Sequence, residues 1–196
     1  MYSQIIKEGY PSGAFYGPKC SGIDSDGNYI INRDEDGKPI NEYLGSAQPK
    51  FNLGFGMNLT YRDFDFSFAG YGMFGQKVLN ATRMAMFDPT RLPAQNVPDD
   101  FLESGIKSDP VFSSYFVENG SFFRLQSVTL GYTLPGVKKI GLERLRASVT
   151  LQNMVTFTGY SGLDPEFADS GIFTMGADYC SFPNPRAVQF ALSFTF

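Results

Sequence analysis

Histidine and tryptophan are missing from this 196-residue chain, and cysteine occurs only twice. Without histidine there is no Ser-His-Asp or Cys-His catalytic unit, no HExxH zinc helix and no Cys2His2 finger. Two cysteines cannot build a four-thiolate zinc site or a dense disulfide scaffold. Positive charge is also scarce: 16 Lys and Arg against 20 Asp and Glu give a net charge of -4, and the cations are scattered along the chain. That is no footprint for nucleic acid, which is excluded as a partner. The mean hydropathy is -0.17 and no apolar run approaches the ~18 residues that a membrane-spanning helix needs. Near the N-terminus, Lys7 and Glu8 stand where a signal peptide would carry its apolar stretch.

What the chain has in abundance is Phe (20), Tyr (11) and Gly (21), set in period-2 alternation. Phe51, Leu53, Phe55, Met57, Leu59 and Tyr61 alternate with Asn52, Gly54, Gly56, Asn58, Thr60 and Arg62. Such a pattern puts apolar and polar side chains on opposite faces of a strand. The same alternation recurs at Val128 to Leu134, at Leu145 to Gln152 and at Val188 to Phe196. Phe64, Phe66 and Phe68 open a further strand whose parity changes near Gly70, predicting a bulge or a glycine kink there. These strands run about 10 to 13 residues, longer than soluble strands usually are and close to what a tilted strand needs to cross a bilayer. Their connections alternate in length: Arg62-Asp63 is tight, 76–120 is long, 135–143 is short and 157–185 is long. The expectation is an all-β fold of antiparallel up-and-down strands forming part of a large transmembrane β-barrel. Its short turns would be periplasmic, its long loops extracellular and its C-terminus periplasmic. The first 50 residues predict one or two further strands, one around Gly13 to Gly17, and 78–87 carries a possible short helix. The polar-face residues Arg62, Arg146, Gln152 and Gln189 would face a wet lumen, and the apolar stripes lipid.

Several segments resemble a known family. Glu8-Gly-Tyr-Pro-Ser-Gly-Ala-Phe-Tyr-Gly17, Leu44-Gly-Ser-Ala-Gln-Pro-Lys-Phe51 and Tyr61-Arg-Asp-Phe-Asp-Phe66 are similar to the C-terminal barrel of SusC/RagA-type TonB-dependent transporters. So are Asn119 to Pro135, Gln152-Asn153 with Tyr160-Ser-Gly-Leu-Asp-Pro-Glu166, and Phe182-Pro-Asn-Pro-Arg186, in the family's order. The resemblance covers essentially all of residues 1–196 and implies the last part of a 22-stranded outer-membrane barrel, its plug domain, TonB box and signal peptide lying outside this sequence. It further implies uptake of oligosaccharides or peptides, a SusD-like surface lipoprotein as lid, and the TonB complex as energy source acting through the N-terminal part. Outer-membrane lipid would surround it, with no cofactor and no catalysis. The other reading of the same strands is a soluble antiparallel β module that binds glycans through loop aromatics.

Candidate sites follow from these segments. Phe196, closing an aromatic strand, is the expected barrel-assembly signal. Tyr115, Phe116, Phe157, Tyr160, Phe167 and Tyr179 fall in or beside the outward loops, where flat rings suit substrate contact. Asp24, Asp26 and Asn28 offer oxygen ligands, but the EF-hand order is not kept and a solvated Asx turn is favoured over calcium. Gly70-Tyr-Gly-Met-Phe-Gly75 matches GxGxxG without the strand-turn-helix context a dinucleotide site requires. Glu118, Asp164 and Glu166 show no pairing that would argue for glycosidase chemistry. Cys20 and Cys180 could pair in an oxidising compartment or remain free thiols.

Overall fold

A computed structural model describes residues 3–166 and 174–196. Thirteen strands and two α-helices are assigned among them. In the first 50 residues lie β1 (Gln4–Ile5), β2 (Ala14–Pro18), β3 (Cys20–Ile23), β4 (Tyr29–Ile31) and β5 (Asn41–Ser46). Next come β6 (Phe51–Tyr61), β7 (Phe64–Phe74), β8 (Lys77–Asn80), α1 (Ala81–Met86), α2 (Asp99–Ser104), β9 (Val117–Asn119) and β10 (Phe122–Thr133). The last are β11 (Arg144–Thr158), β12 (Ala177–Asp178) and β13 (Ala187–Thr195). The chain divides into two compact units.

The first unit, residues 51–74, 122–158 and 184–196, is a single antiparallel sheet in the order β13-β11-β10-β7-β6. Its register aligns the sequence alternation from strand to strand. One row reads Leu59, Phe66, Leu130, Val149, Phe190, and the next Met57, Phe68, Val128, Leu151, Val188. The residues between them form polar rows, such as Asn58, Ser67, Thr129, Thr150 and Gln189. The apolar face is bare: Phe190 is 80% and Leu192 65% exposed. Among the described residues the sheet is open, with β6 and β13 as its edges.

The expected parity change in β7 is corrected. Phe64, Phe66, Phe68, Gly70, Gly72 and Phe74 all keep one face, and the extra residues sit on the neighbouring strands instead. Between the same two rows β7 has one residue (Ala69), β10 two and β11 three, with Asn153 at a positive φ of 52°. The growing bulge lets both faces stay in step across the sheet. Gly70 is small for a packing reason: a Cβ there would stand 2.7 Å from the Phe55 ring, which stacks on Phe123 at 5.2 Å. Gly70 and Gly72 therefore belong to a strand, and the GxGxxG match has no phosphate-binding turn.

On the polar face, Arg146 reaches across β10 to Asp65, with Nε donating to Oδ1 at 2.8 Å and Nη2 to Oδ2 at 2.6 Å. Gly131 lies beneath this fork, where a Cβ would collide with both partners. Thr129 and Thr150 share a hydroxyl bond at 2.9 Å in the same layer. Of the polar-face residues expected from sequence, Arg62 is displaced: β6 ends at Tyr61, and Arg62 occupies the hairpin turn at φ 55°.

The second unit, residues 1–50, 75–121 and 159–183, collects the irregular front segment and both long connections. The front segment holds five short strands rather than one or two, because Gly and Asp-Gly turns break it every few residues. The expected helix is found as α1, while α2 and a core were not foreseen. That core packs Phe15, Tyr29, Leu79, Phe87, Phe101, Ile106, Phe112, Phe116 and Val117. Edge-on ring contacts fix it, Phe87 lying 5.5 Å from Phe101 and 6.0 Å from Phe116. The described parts of the long connections are thus folded structure.

Placing a side chain under the Arg146–Asp65 fork tests how far the polar face depends on it. Gly131→Val is expected to lower unfolding stability by ~1–3 kcal/mol, through loss of charge-assisted hydrogen bonds. Urea titration of the detergent-solubilised protein reads this, and an unchanged midpoint would show the fork to be dispensable.

A cleft in the loop unit

The second unit contains a cleft of about 580 Å³ between α1, the start of α2 and the segments 161–163 and 178–183. Its floor is organised by Asn80, the last residue of β8. The Asn80 amide oxygen accepts the Arg83 backbone N–H at 2.8 Å, capping α1. Its Nδ2 donates to Glu118 Oε1 and to Ser161 Oγ, both at 3.1 Å. Glu118 in turn accepts the Ser161 backbone N–H at 2.9 Å and its hydroxyl at 2.7 Å. One carboxylate on β9 therefore fastens the 160–163 wall.

The opposite wall is held by α1. Thr82 Oγ1 donates to the Asp178 carbonyl at 3.1 Å and accepts the Cys180 N–H at 2.5 Å. β12 pairs in parallel with β8, and the Asp178 carboxylate accepts the Tyr160 hydroxyl at 2.7 Å and the Ser181 N–H at 3.3 Å. Arg83 completes the enclosure: Nη2 meets Asp100 at 2.7 Å, Nη1 approaches Glu118 at 3.6 Å, and the guanidinium lies 4.5 Å over the Phe87 ring. The rim is apolar, with Met86, Pro98, Leu163, Phe182 and Pro183 lining it. Leu163 is 81% and Phe182 88% exposed.

Burial raises three phenols of this unit above their usual pKa of 10.0. Desolvation is the main cause for Tyr29, Tyr115 and Tyr160, and for Tyr160 the bond to Asp178 adds to it. The Tyr29 hydroxyl has no hydrogen-bond partner among the described residues.

The candidate residues separate accordingly. Phe116 is fully buried in the core, so the expected ligand contact is corrected to a packing role. Tyr160 is buried and braces Asp178. Tyr115 packs against Phe116 and Phe87. Phe157 stands on β11, 6.3 Å from Phe123 on the apolar face of the sheet, and is not a loop residue. Tyr179 is 67% exposed. Phe167 lies outside the described residues. Phe196, one residue past β13, is exposed.

Asp24 turns inward on its own loop, its Oδ1 accepting the N–H groups of Asp26 at 2.9 Å and Asn28 at 2.7 Å. These bonds, that of Asn28 foremost, lower its pKa, and they define the favoured Asx turn. Among the described residues no group of three or more acidic, His or Cys side chains is placed to hold a metal ion. Cys20 and Cys180 are both free; the Cys20 thiol donates to the Gly22 carbonyl at 3.2 Å, so the disulfide option is not realised. Glu118 is a latch, and Asp164 accepts the Glu166 N–H at 2.9 Å. Asn80, Arg83, Asp100, Leu163 and Phe182 escaped sequence reasoning. Only Asn80 carried a signal, as a capping residue before a short helix.

A two-faced sheet of long antiparallel strands, bare on its apolar side and open at both edges, is a segment of a large membrane β-barrel. Its sequence relatives name it further. Receptor P3 and receptor P26 of Formosa agariphila, both TonB-dependent receptors, are 28% and 31% identical over 99% and 88% of this chain. The TonB-dependent receptor SusC of Bacteroides thetaiotaomicron is 29% identical over 87% of it. The chain spans only 23%, 19% and 16% of those three proteins. Structures of the RagAB peptide transporter and of the RagAB peptide importer in its open-open state share the fold, with TM-scores of 0.71 and 0.72. They are 19% and 18% identical over 94% and 100% of this chain, which covers 24% of each. No family model matches. Over most of its length the chain is similar to one part of TonB-dependent receptors, SusC among them. The matched proteins are receptors and transporters, not enzymes.

The raised phenols give a pH signature. A phenol with a folded-state pKa above its unfolded 10.0 contributes stability that is intact below pH 10 and lost as pH rises beyond it. Alkaline titration at 295 nm of the wild-type receptor and of its Tyr29→Phe, Tyr115→Phe and Tyr160→Phe variants reads this. The difference spectra are expected to show these three rings ionising above the ordinary phenol range, Tyr29 and Tyr160 furthest above it. Ionisation near pH 10 in the folded protein would contradict their burial.

Proposed function

We propose that this chain supplies C-terminal barrel wall and extracellular loops to an outer-membrane TonB-dependent nutrient importer for oligosaccharides or peptides. The observation that carries the reading is the alignment of bare apolar rows across all five strands, a face that water would not leave dispersed. Outer-membrane lipid covers those rows in this reading, and the polar rows line the lumen. The connections at Arg62-Asp63 and 135–143 lie in the periplasm, the long loops 76–120 and 157–185 lie outside, and the C-terminus is periplasmic. The aromatic stripe ending in Phe196 serves as the assembly signal. A SusD-like surface lipoprotein acts as the lid, and the TonB complex drives uptake through the N-terminal part of the receptor. Among the described loop aromatics, Tyr179 is the one whose exposure suits substrate contact.

Two substitutions one strand face apart test the lipid assignment. In the full-length receptor, Leu130→Arg is expected to cost ~2–4 kcal/mol, while Asn58→Arg on the polar face stays within ~1 kcal/mol. Unfolding titrations in detergent or lipid measure both, and equal small effects would favour the soluble glycan-binding module. Orientation is read separately in a Cys20→Ser, Cys180→Ser background. Leu102→Cys is expected to react with a membrane-impermeant maleimide on intact cells, and Arg62→Cys only after the outer membrane is permeabilised. The reverse pattern would invert the assigned topology.

A further inference from the structure

We propose that the cleft beside α1 binds a peptide segment in which a large apolar side chain stands next to a cationic group. The inference rests on the transport reading and narrows it to one substrate class.

Size comes first. About 580 Å³ lies within the range of sites that enclose a small organic ligand. The rim supplies the apolar contact: Leu163 and Phe182 are held almost fully in water at the mouth, with Met86 also exposed beside them. A ligand that covers these side chains releases them from water, which is the main non-directional source of binding energy.

The floor selects against sugars. The Asn80 amide is bonded to Glu118, to Ser161 and to the Arg83 N–H. The Thr82 and Ser161 hydroxyls each both donate and accept within the floor. The Asp178 carboxylate takes the Tyr160 hydroxyl and the Ser181 N–H. Arg83 Nε has no partner among the described residues but is buried, so a saccharide, which binds through many hydroxyl hydrogen bonds, is left the outer carboxylate edges alone unless it breaks these pairs. A peptide side chain resting on the rim leaves them intact.

Charge selects the neighbouring group. Arg83 meets two carboxylates, Asp100 and Glu118, and Asp178 on the same floor receives only neutral donors among the described residues. The sum is negative. Asp100 is the half-exposed member, so its outer edge is where a lysine, an arginine or an N-terminal ammonium would sit.

The test is fluorescence-polarisation binding to the detergent-purified full-length receptor. The ligands are a labelled pentapeptide containing Leu-Lys-Leu, its Leu-Glu-Leu counterpart and labelled maltopentaose. The Lys peptide is expected to bind about tenfold more tightly than the Glu peptide, and the saccharide more weakly than either. The double variant Leu163→Ser, Phe182→Ser is expected to weaken the Lys peptide about tenfold or more, with Ile6→Ser as the remote control without effect. Asp100→Asn should remove most of the Lys-over-Glu preference and Asp100→Glu restore it, a pattern that general loosening of the cleft would not give. Retained heat-modifiability on gels establishes that each variant still folds. Tighter binding of maltopentaose, or peptide affinities indifferent to all of these substitutions, overturns the proposal. TonB-dependent uptake of another solute would in that case leave the transport reading standing, whereas uptake indifferent to TonB would remove it.

Discussion

Strand register is the constraint on which the rest of the chain depends. With period-2 side chains, a slip of one residue in any pair would move its phenylalanines to the polar face. The five long strands avoid this by placing Met57, Phe68, Val128, Leu151 and Val188 in one row and keeping later rows in step. Where the strands need different lengths, the surplus is taken up in a bulge that adds one residue on β10 and a second on β11. The fork from Arg146 to Asp65 over Gly131 fastens three strands on the polar side, where no slipped register would bring the same three residues together.

A sheet so ordered has two incompatible faces, and this is what makes the chain a membrane-barrel segment. In the proposed reading its apolar rows meet lipid and its polar rows water, and among the described residues its two edge strands leave backbone groups unpaired. The loop unit solves a different problem. It buries its own aromatic core, and above that core a chain of hydrogen bonds from Asn80 through Glu118 and Ser161 holds the cleft open. Because the amides and hydroxyls of the floor bond one another, and the unpaired Arg83 Nε is buried, the chemistry left for a visitor is an apolar rim with an acidic edge.

The absence of histidine and the alternating stripes together dictated an antiparallel β fold without histidine-based catalysis, and the motifs around Asn119 to Pro135 pointed to the family. Strand alternation is legible because it is local: each residue reports its own face. The bulge on β10 and β11 was misplaced at Gly70 because a glycine in a strand looks the same whether it kinks the backbone or makes room for Phe55. The loop aromatics were misjudged for a related reason. Phe116 and Tyr160 have the composition of binding residues, and only packing showed them to be buried.

By itself the sequence determined the strands, their two faces and the alternation of short and long connections, since these follow from side-chain period and turn chemistry. Tertiary structure decided which aromatics are core and which are rim, and that the two long connections and the front segment share one core. It also decided that Asn80, Arg83, Asp100 and Asp178 meet around one cleft, with Glu118 bonded to Asn80 and facing Arg83. Those residues come from segments up to about a hundred positions apart. No local pattern encodes their meeting, because it is set by burial of Phe15, Phe87 and Phe116 and by parallel pairing of β8 with β12.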